Sequence, residues 1–309
     1  MQIFFSLLIK IIPLYILILL GFIAGRKLNA KKETIASILI YVITPIVIFD
    51  SIVTTKITPE LLLLPLIFFF CCSFMCMLFY VIGKSLFKDN TKNLLALAAG
   101  TANTGYFGIP VAVELFGEKI IGIMVLGILG FTVFENSLGF FMIARGNHTV
   151  RDSIFRLLKL PAIYAFLTGL LVNFLGINLG KNYLSFLNNF IGSYTVLGMM
   201  LIGLGLSDMK SFKVDFRFLL SAFGAKFVIW PLLITILIFI DLHSLNIFNS
   251  SVHKVMFLLS IVPLAANLVA FSTELRAQPE KASLAVFVST LIALVYIPLF
   301  ILQISRNLR

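Results

Sequence analysis

GTANTGYFGIPVAVELFG, residues 100 to 117, decides how this chain is read. Apolar sequence flanks it on both sides at a length suited to crossing a bilayer, yet its centre holds Thr101, Asn103, Thr104, Gly105, Gly108 and Pro110. Pro110 has no N–H to donate and its ring clashes with the preceding turn, while Gly105 and Gly108 remove the bulk that resists unwinding. The stretch predicts a transmembrane segment that opens near its middle. Freed backbone groups in hydrocarbon cost several kcal/mol each unless protein or a water-filled cavity satisfies them. An opening at this depth therefore implies a buried polar site reached by water.

The composition places the rest of the chain in a membrane too. Of 309 residues, 60% are hydrophobic and 12% charged, with a mean hydropathy of +1.09, well beyond the roughly 45 to 50% apolar usage of soluble domains. Apolar runs between charged or Gly/Pro/Asn-rich punctuation give ten spans. They fall near residues 3–24, 34–53, 61–83, 94–116, 120–144, 161–176, 184–206, 218–240, 253–273 and 281–303, the sixth being short and Gly-interrupted. A bilayer core takes about 20 residues per helix, so ten crossings leave no room for a sizeable soluble domain. The expected fold class is an all-α membrane protein.

A formal charge of +11 raises the question of nucleic acid, but the placement of the cations answers it. The loops after spans one, three, five, seven and nine carry sixteen Lys and Arg residues; the loops after the even spans carry four, Lys56, Lys119, Lys181 and Lys254. This is the positive-inside pattern, which sets both termini on the outer face of the cell (inner) membrane and excludes nucleic acid as a partner. The opening MQIFFSLLIK lacks a basic leader and its apolar run exceeds the core of a signal peptide, so it reads as a permanent helix. Cys71, Cys72 and Cys76 lie within span three with no His or acidic company, which suits packing rather than metal or disulfide chemistry.

The longest basic connection, residues 145–160, follows five spans and precedes five more. An odd number of helices per half inserts the second half upside down, the inverted-repeat construction of many secondary transporters. The expected division is 1–144, a 145–160 cytoplasmic linker, and 161–309. Span nine, the counterpart of span four, reads SIVPLAANLVAFSTE with Pro263 and Asn267 near its centre. Paired Gly/Pro-interrupted segments in corresponding positions point to a binding site.

If the two broken spans cross at their breaks, half-helix N-termini bring partial positive charge there and amides add donors, a way to hold a carboxylate without a full cation. Asn103 and Asn267 are the natural donors, assisted by Thr101 and Thr104. The competing reading is a pair of kinked helices with Asn as interhelical glue. Intramembrane ionisable residues are functional candidates by default. Glu135 in span five and Lys226 in span eight each lie roughly 12 to 14 Å from the cytoplasmic end of their span. They are placed to form a charge pair or an ion-coupling site, with inward snorkelling open as an alternative for Lys226. Asn136 is a third candidate amide. Asp50 and Glu114 fall near the outer ends of spans two and four, an interfacial position, and Lys10 belongs to the outer rim; Gly21 and Gly25 suit close helix contact.

No HExxH, Walker A or GxGxxG pattern occurs, none of the serines sits in a GxSxG elbow, and His148, His243 and His253 lie in or beside loops. Neither an enzyme, a metal site nor a cofactor is expected.

The segment NTGYFGIPV resembles the Asn-Thr-x-x-x-Gly-Ile-Pro signature of the auxin efflux carrier family, which includes plant PIN-type carriers and bacterial organic-acid carriers. GFIAGRK, YVITPIVIF, PLAAN and STLIALVYIPL extend the similarity along most of the chain. The resemblance implies ten helices in two inverted five-helix repeats, with spans one, two, six and seven as scaffold and spans 3–5 and 8–10 as a mobile transport domain. It also implies a homodimer and an elevator-type alternation around the crossover of spans four and nine. Asn103, Pro110, Pro263 and Asn267 match the crossover positions, and Asn136 is carried over from span five. Span seven lacks the proline expected there, and the sixteen-residue linker suits a compact bacterial type. The leading expectation is a secondary transporter of a small organic anion, a carboxylate, with Asn103, Thr104, Pro110, Asn136, Pro263 and Asn267 at the substrate. The alternatives are a sodium- or proton-coupled cation antiporter or symporter of related architecture and a membrane-embedded ligand sensor.

Overall fold

A computed structural model describes residues 2–144, 151, 155, 158–207, 214–275 and 277–307; most of the linker at 145–160, His148 included, lies outside the described residues. The described residues are helical with no strand among them. In chain order the α-helices are α1 (Gln2–Leu28), α2 (Lys32–Ile38), α3 (Thr44–Thr54), α4 (Leu64–Leu86), α5 (Thr91–Gly100), α6 (Ile109–Phe116), α7 (Ile121–Phe134) and α8 (Phe140–Ile143). After the linker come α9 (Pro161–Phe174), α10 (Lys181–Ser207), α11 (Phe216–Gly224), α12 (Trp230–Ile240), α13 (Ser250–Ile261), α14 (Asn267–Glu274) and α15 (Pro279–Asn307).

Seven helical stretches among the described residues are long and apolar enough to cross a membrane: Leu8–Leu28, Lys32–Thr54, Pro59–Leu86, Glu118–Ile143, Ser185–Ser207, Phe216–Leu245 and Pro279–Ile301. They coincide with spans one, two, three, five, seven, eight and ten. The three that fall short are the ones whose sequence carries an interruption. Span six is a single helix of 14 residues, α9. Spans four and nine are each two shorter helices, α5 with α6 and α13 with α14, separated by non-helical or wide-turn backbone.

Local chemistry accounts for several helix ends. Asp215 caps α11 by accepting from the Phe218 N–H at 3.1 Å, and Asn249 caps α13 by accepting from Ser251 and Val252, the usual use of a short polar side chain for orphan helix donors. Gly117, at φ 84°, ends α6 in a conformation that a Cβ disfavours. Asn173 of α9 donates to the carbonyls of Ile52, Val53 and Thr55 at 2.8–3.1 Å and so closes the end of α3.

Two helix groups pack internally. α1 lies along α10, and α3 packs on α9 and α10. Small residues set the approach of α1 to α10: a Cβ at Gly21 would overlap the backbone of Met200, one at Gly25 would overlap the Ser207 side chain, and one at Gly203 would overlap the backbone of Ile18 and Phe22. The second group joins α4 to α5 and α7, α5 to α11, α12 to α13, and α14 to α15. Its interior contains Cys71, Cys72 and Cys76, all buried and unbridged. On the opposite side of α4, Phe70, Phe74, Met77 and Val81 form an exposed stripe, a face suited to lipid rather than water.

Candidate functional site

The two interruptions touch. Helix α5 stops at Gly100, Thr101 is extended (φ −109°, ψ 164°), and the chain resumes as a wide turn at Thr104–Gly108 that runs into α6. Helix α13 stops at Ile261, Val262 is extended (φ −67°, ψ 153°), and α14 starts at Asn267. Across the gap the Asn103 N–H donates to the Pro263 carbonyl at 2.8 Å. Further bonds take up the freed backbone groups: Gly108 N–H to Asn103 O at 3.0 Å and Leu268 N–H to Ala265 O at 3.1 Å, and Leu264 N–H to the Ser289 hydroxyl at 3.2 Å. These bonds pair part of the backbone that the breaks free.

Beside this junction lies a cavity of about 450 Å³, bordered by Asn103, Thr104, Glu135, Asn136 and Asn267. Five of the residues expected at the substrate or coupling site therefore share one wall. Glu135 Oε2 accepts from Asn267 Nδ2 at 2.8 Å, tying span five to the second break. Asn136 donates to the Thr132 carbonyl at 2.9 Å. Asn103 is 96% buried, being 4% exposed, and its Nδ2 has no hydrogen-bond partner among the described residues. The hydroxyl of Thr44, another residue bordering the cavity, is also without one.

Pro110 and Pro263 do not border the cavity. Pro110 sits buried at the second residue of α6, directly after the wide turn at Thr104–Gly108, and Pro263 supplies the carbonyl that receives the Asn103 N–H. They shape the breaks and leave contact with a solute to their neighbours.

The expectations for Lys226 are corrected. It neither pairs with Glu135 nor snorkels: it is fully buried, and its Nζ lies 3.5 Å from the Leu259 carbonyl and 5.1 Å from the centroid of the Trp230 ring. Leu259 is in the last turn of α13, where carbonyls lack intrahelical partners and the helix dipole is negative. At 3.5 Å the contact is chiefly electrostatic. Four residues on, and so on the same face, Trp230 donates Nε1–H to the Ala99 carbonyl at 2.6 Å, in the last turn of α5. One face of span eight therefore closes both interrupted helices. The only tryptophan of the chain carried no motif; its spacing from Lys226 was the available signal.

Asp50, expected at the outer end of span two, is 4% exposed, with Oδ1 unpartnered among the described residues. It borders a second recess of about 690 Å³ formed with Thr55, Glu118 and Asn249, at the other ends of α3 and α7. Between the two recesses, Val47, Ile48, Val125, Ile128 and Leu129 surround a void of about 40 Å³. Glu114 is exposed, and Lys10, also exposed, reaches its carbonyl at 3.5 Å. His253, expected near a loop, is buried and bonded to Asp241 at 2.8 Å.

At the end of the bundle carrying the basic loops, Lys281 bridges Asp215 Oδ2 and the Thr91 hydroxyl, each at 2.8 Å. Partial burial opposes ionisation of Asp215, but the Lys281 side chain and the backbone N–H groups of Phe218 and Arg217 outweigh it and hold its carboxyl below the usual range.

A multi-pass helical bundle with a polar cavity where two helices break belongs to the transport class of membrane protein. Comparison with known proteins agrees. The chain is 32% identical over 231 residues to a protein of Methanocaldococcus jannaschii described as an uncharacterized transporter, covering 70% of this chain and 74% of that one. It is 24% identical over 304 residues to an uncharacterized transporter of Methanothermobacter thermautotrophicus, covering 94% and 96%. No family model matches. The chain belongs to the transporter family of these archaeal proteins.

Proposed function

We propose that this protein is a secondary carrier for small organic anions, specifically carboxylates, of the auxin efflux carrier type. In this reading the interrupted spans four and nine each cross the membrane, as does the short span six. That gives ten crossings in two inverted repeats, 1–144 and 161–309, with both termini outside the cell membrane. The observation that carries the proposal is the Asn103–Pro263 bond, with the unpartnered Asn103 amide beside the 450 Å³ cavity. A half-helix starting at each break leaves N–H groups without intrahelical partners, so backbone dipoles and the Asn103 amide together suit a carboxylate.

The packing supports a division into scaffold (spans one, two, six and seven) and transport domain (spans 3–5 and 8–10), since each set packs internally. The cavity lies on the seam between them: Thr44, Pro161 and Tyr194 come from the first set, and Asn103, Glu135 and Asn267 from the second. An elevator-type displacement of one set along the other would move the site across the apolar constriction around Val47 and Val125. The homodimer follows from the family resemblance alone.

One observation favours ion coupling as a second reading, because the Glu135 carboxyl lies in the cavity wall. Uptake of labelled organic acids into proteoliposomes tests both. Carboxylate uptake lost in Asn103→Ala is the expected result, and equal uptake by parent and variant refutes the site. Abolition of gradient dependence by Glu135→Gln would favour coupling to protons or sodium.

A further inference from the structure

We infer that the solute is a zwitterion, an α-amino acid or a compound of like charge pattern, whose carboxylate lies at the span-four break and whose ammonium lies at Glu135. The inference rests on the carrier reading of the cavity and deepens it.

The wall is divided by polarity. On the span-four side the polar group without a partner among the described residues is a donor, the buried Asn103 Nδ2 amide. On the span-five side the open groups are acceptors. Glu135 uses Oε2 for Asn267, and its other oxygen has no partner among the described residues. Asn136 turns one of its two Nδ2 N–H groups to the Thr132 carbonyl, and its Oδ1 is an acceptor on the residue adjacent to Glu135. A carboxylate and a neighbouring amide oxygen match the three N–H donors of an ammonium group; an amide N–H₂ matches a carboxylate.

Charge balance points the same way. Among the described residues bordering the cavity, Lys159 is the one cation, an exposed residue on the linker side, and Lys226 is turned to Leu259 instead. A simple anion would meet an ionised Glu135 with only the exposed Lys159 to offset it, and like charges in a site of low dielectric repel strongly. A solute bearing its own cation removes that conflict. The rest of the wall suits an amino-acid side chain: Phe131, Tyr106 and Tyr194 border the cavity, and the two tyrosine rings lie 5.8 Å apart. Aromatic faces accept both apolar groups and cations. A cavity of about 450 Å³ lies within the range of small-molecule sites.

The test is exchange in proteoliposomes without any ion gradient. Each of the twenty amino acids is compared with the carboxylic acid lacking its amino group, for example leucine with 4-methylpentanoate. For at least one pair the parent should prefer the amino acid by about thirtyfold or more, the loss expected when one member of a buried charge pair is removed. Glu135→Gln should erase or invert that ratio, and Glu135→Asp, which keeps the charge, should retain it. A monodisperse, thermally stable Glu135→Gln protein guards against misfolding. Preference of the parent for the deaminated acids, with Asn103→Ala still abolishing their exchange, overturns the zwitterion inference and leaves the carboxylate carrier standing. An unchanged ratio in Glu135→Gln also overturns the inference. Failure of both compounds in every pair refutes the carrier reading itself.

Discussion

The main-chain N–H of Asn103 donates to the main-chain carbonyl of Pro263 at 2.8 Å, so the two interrupted spans are joined at their breaks by backbone alone. No substitution at Asn103 other than proline removes its donor. The junction therefore does not rest on the Asn103 side chain, whose Nδ2 is buried without a partner among the described residues.

Asn103→Ala should therefore separate binding from stability. Deleting a buried donor that bonds to nothing among the described residues spares its desolvation cost, so the melting temperature in detergent should be unchanged or raised. Solute affinity should fall by about tenfold or more, the loss of one hydrogen bond to a charged group. Isothermal calorimetry and thermal unfolding on the same preparation check both.

Trp230→Phe should do the reverse of that separation. It keeps the stacking on Phe131, whose ring centroid lies 5.5 Å away, but strips the Ala99 carbonyl of its donor. A destabilisation of about 1–3 kcal/mol is expected from the unpaired carbonyl. Lys226→Ala should cost at least as much, since it leaves a cavity as well, and Lys226→Met, closer in shape, should recover part of it. Thermal unfolding orders the three variants.

Gly203→Leu should disrupt the α1–α10 contact. A Cβ there already overlaps the backbone of Ile18 and Phe22, which cannot turn aside as the end of a side chain can, so the cost should exceed the roughly 1–3 kcal/mol of ordinary overpacking. Loss of monodispersity on size-exclusion chromatography is the readout. Gly224→Ala, where a Cβ meets nothing within 4 Å, is the control.

The Asp215–Lys281 bridge makes an acid-sensitive contribution. The folded carboxyl titrates below its unfolded value, so its stabilisation is fully present above about pH 4 and fades as pH falls through the lowered value. Asp215 is also the N-cap of α11 and is partly exposed, so the combined effect should stay near 1 kcal/mol. Asp215→Asn, which retains capping ability, should flatten the stability profile below pH 4 while costing little at pH 7, as followed by unfolding across pH.

How much of this was legible in the sequence depends on how far each determinant reaches along the chain. Apolar periodicity, loop charge and the Gly/Pro/Asn interruptions act over a few residues. The membrane class and both breaks could be read directly, and even the three spans that are not long continuous helices carry their interruptions in plain sight. Asn103, Glu135, Asn136 and Asn267 stood out because polar groups are costly at membrane depth, and they do share a cavity wall.

Lys226, Trp230 and Asp50 show what the sequence by itself left undecided. A buried lysine must find compensation, but the chain does not say whether from Glu135, from water or from a helix end. Packing chose the carbonyl of Leu259, and placed Trp230 on the Ala99 carbonyl 131 residues away. Asp50 looked interfacial by its position in the span and is enclosed because α7 and the 247–249 turn close over the end of α3. The local code set where the helices would fail; only the tertiary structure could assign partners to the groups those failures released, because each partner lies on another helix whose distance and rotation are fixed by the packing of the whole bundle.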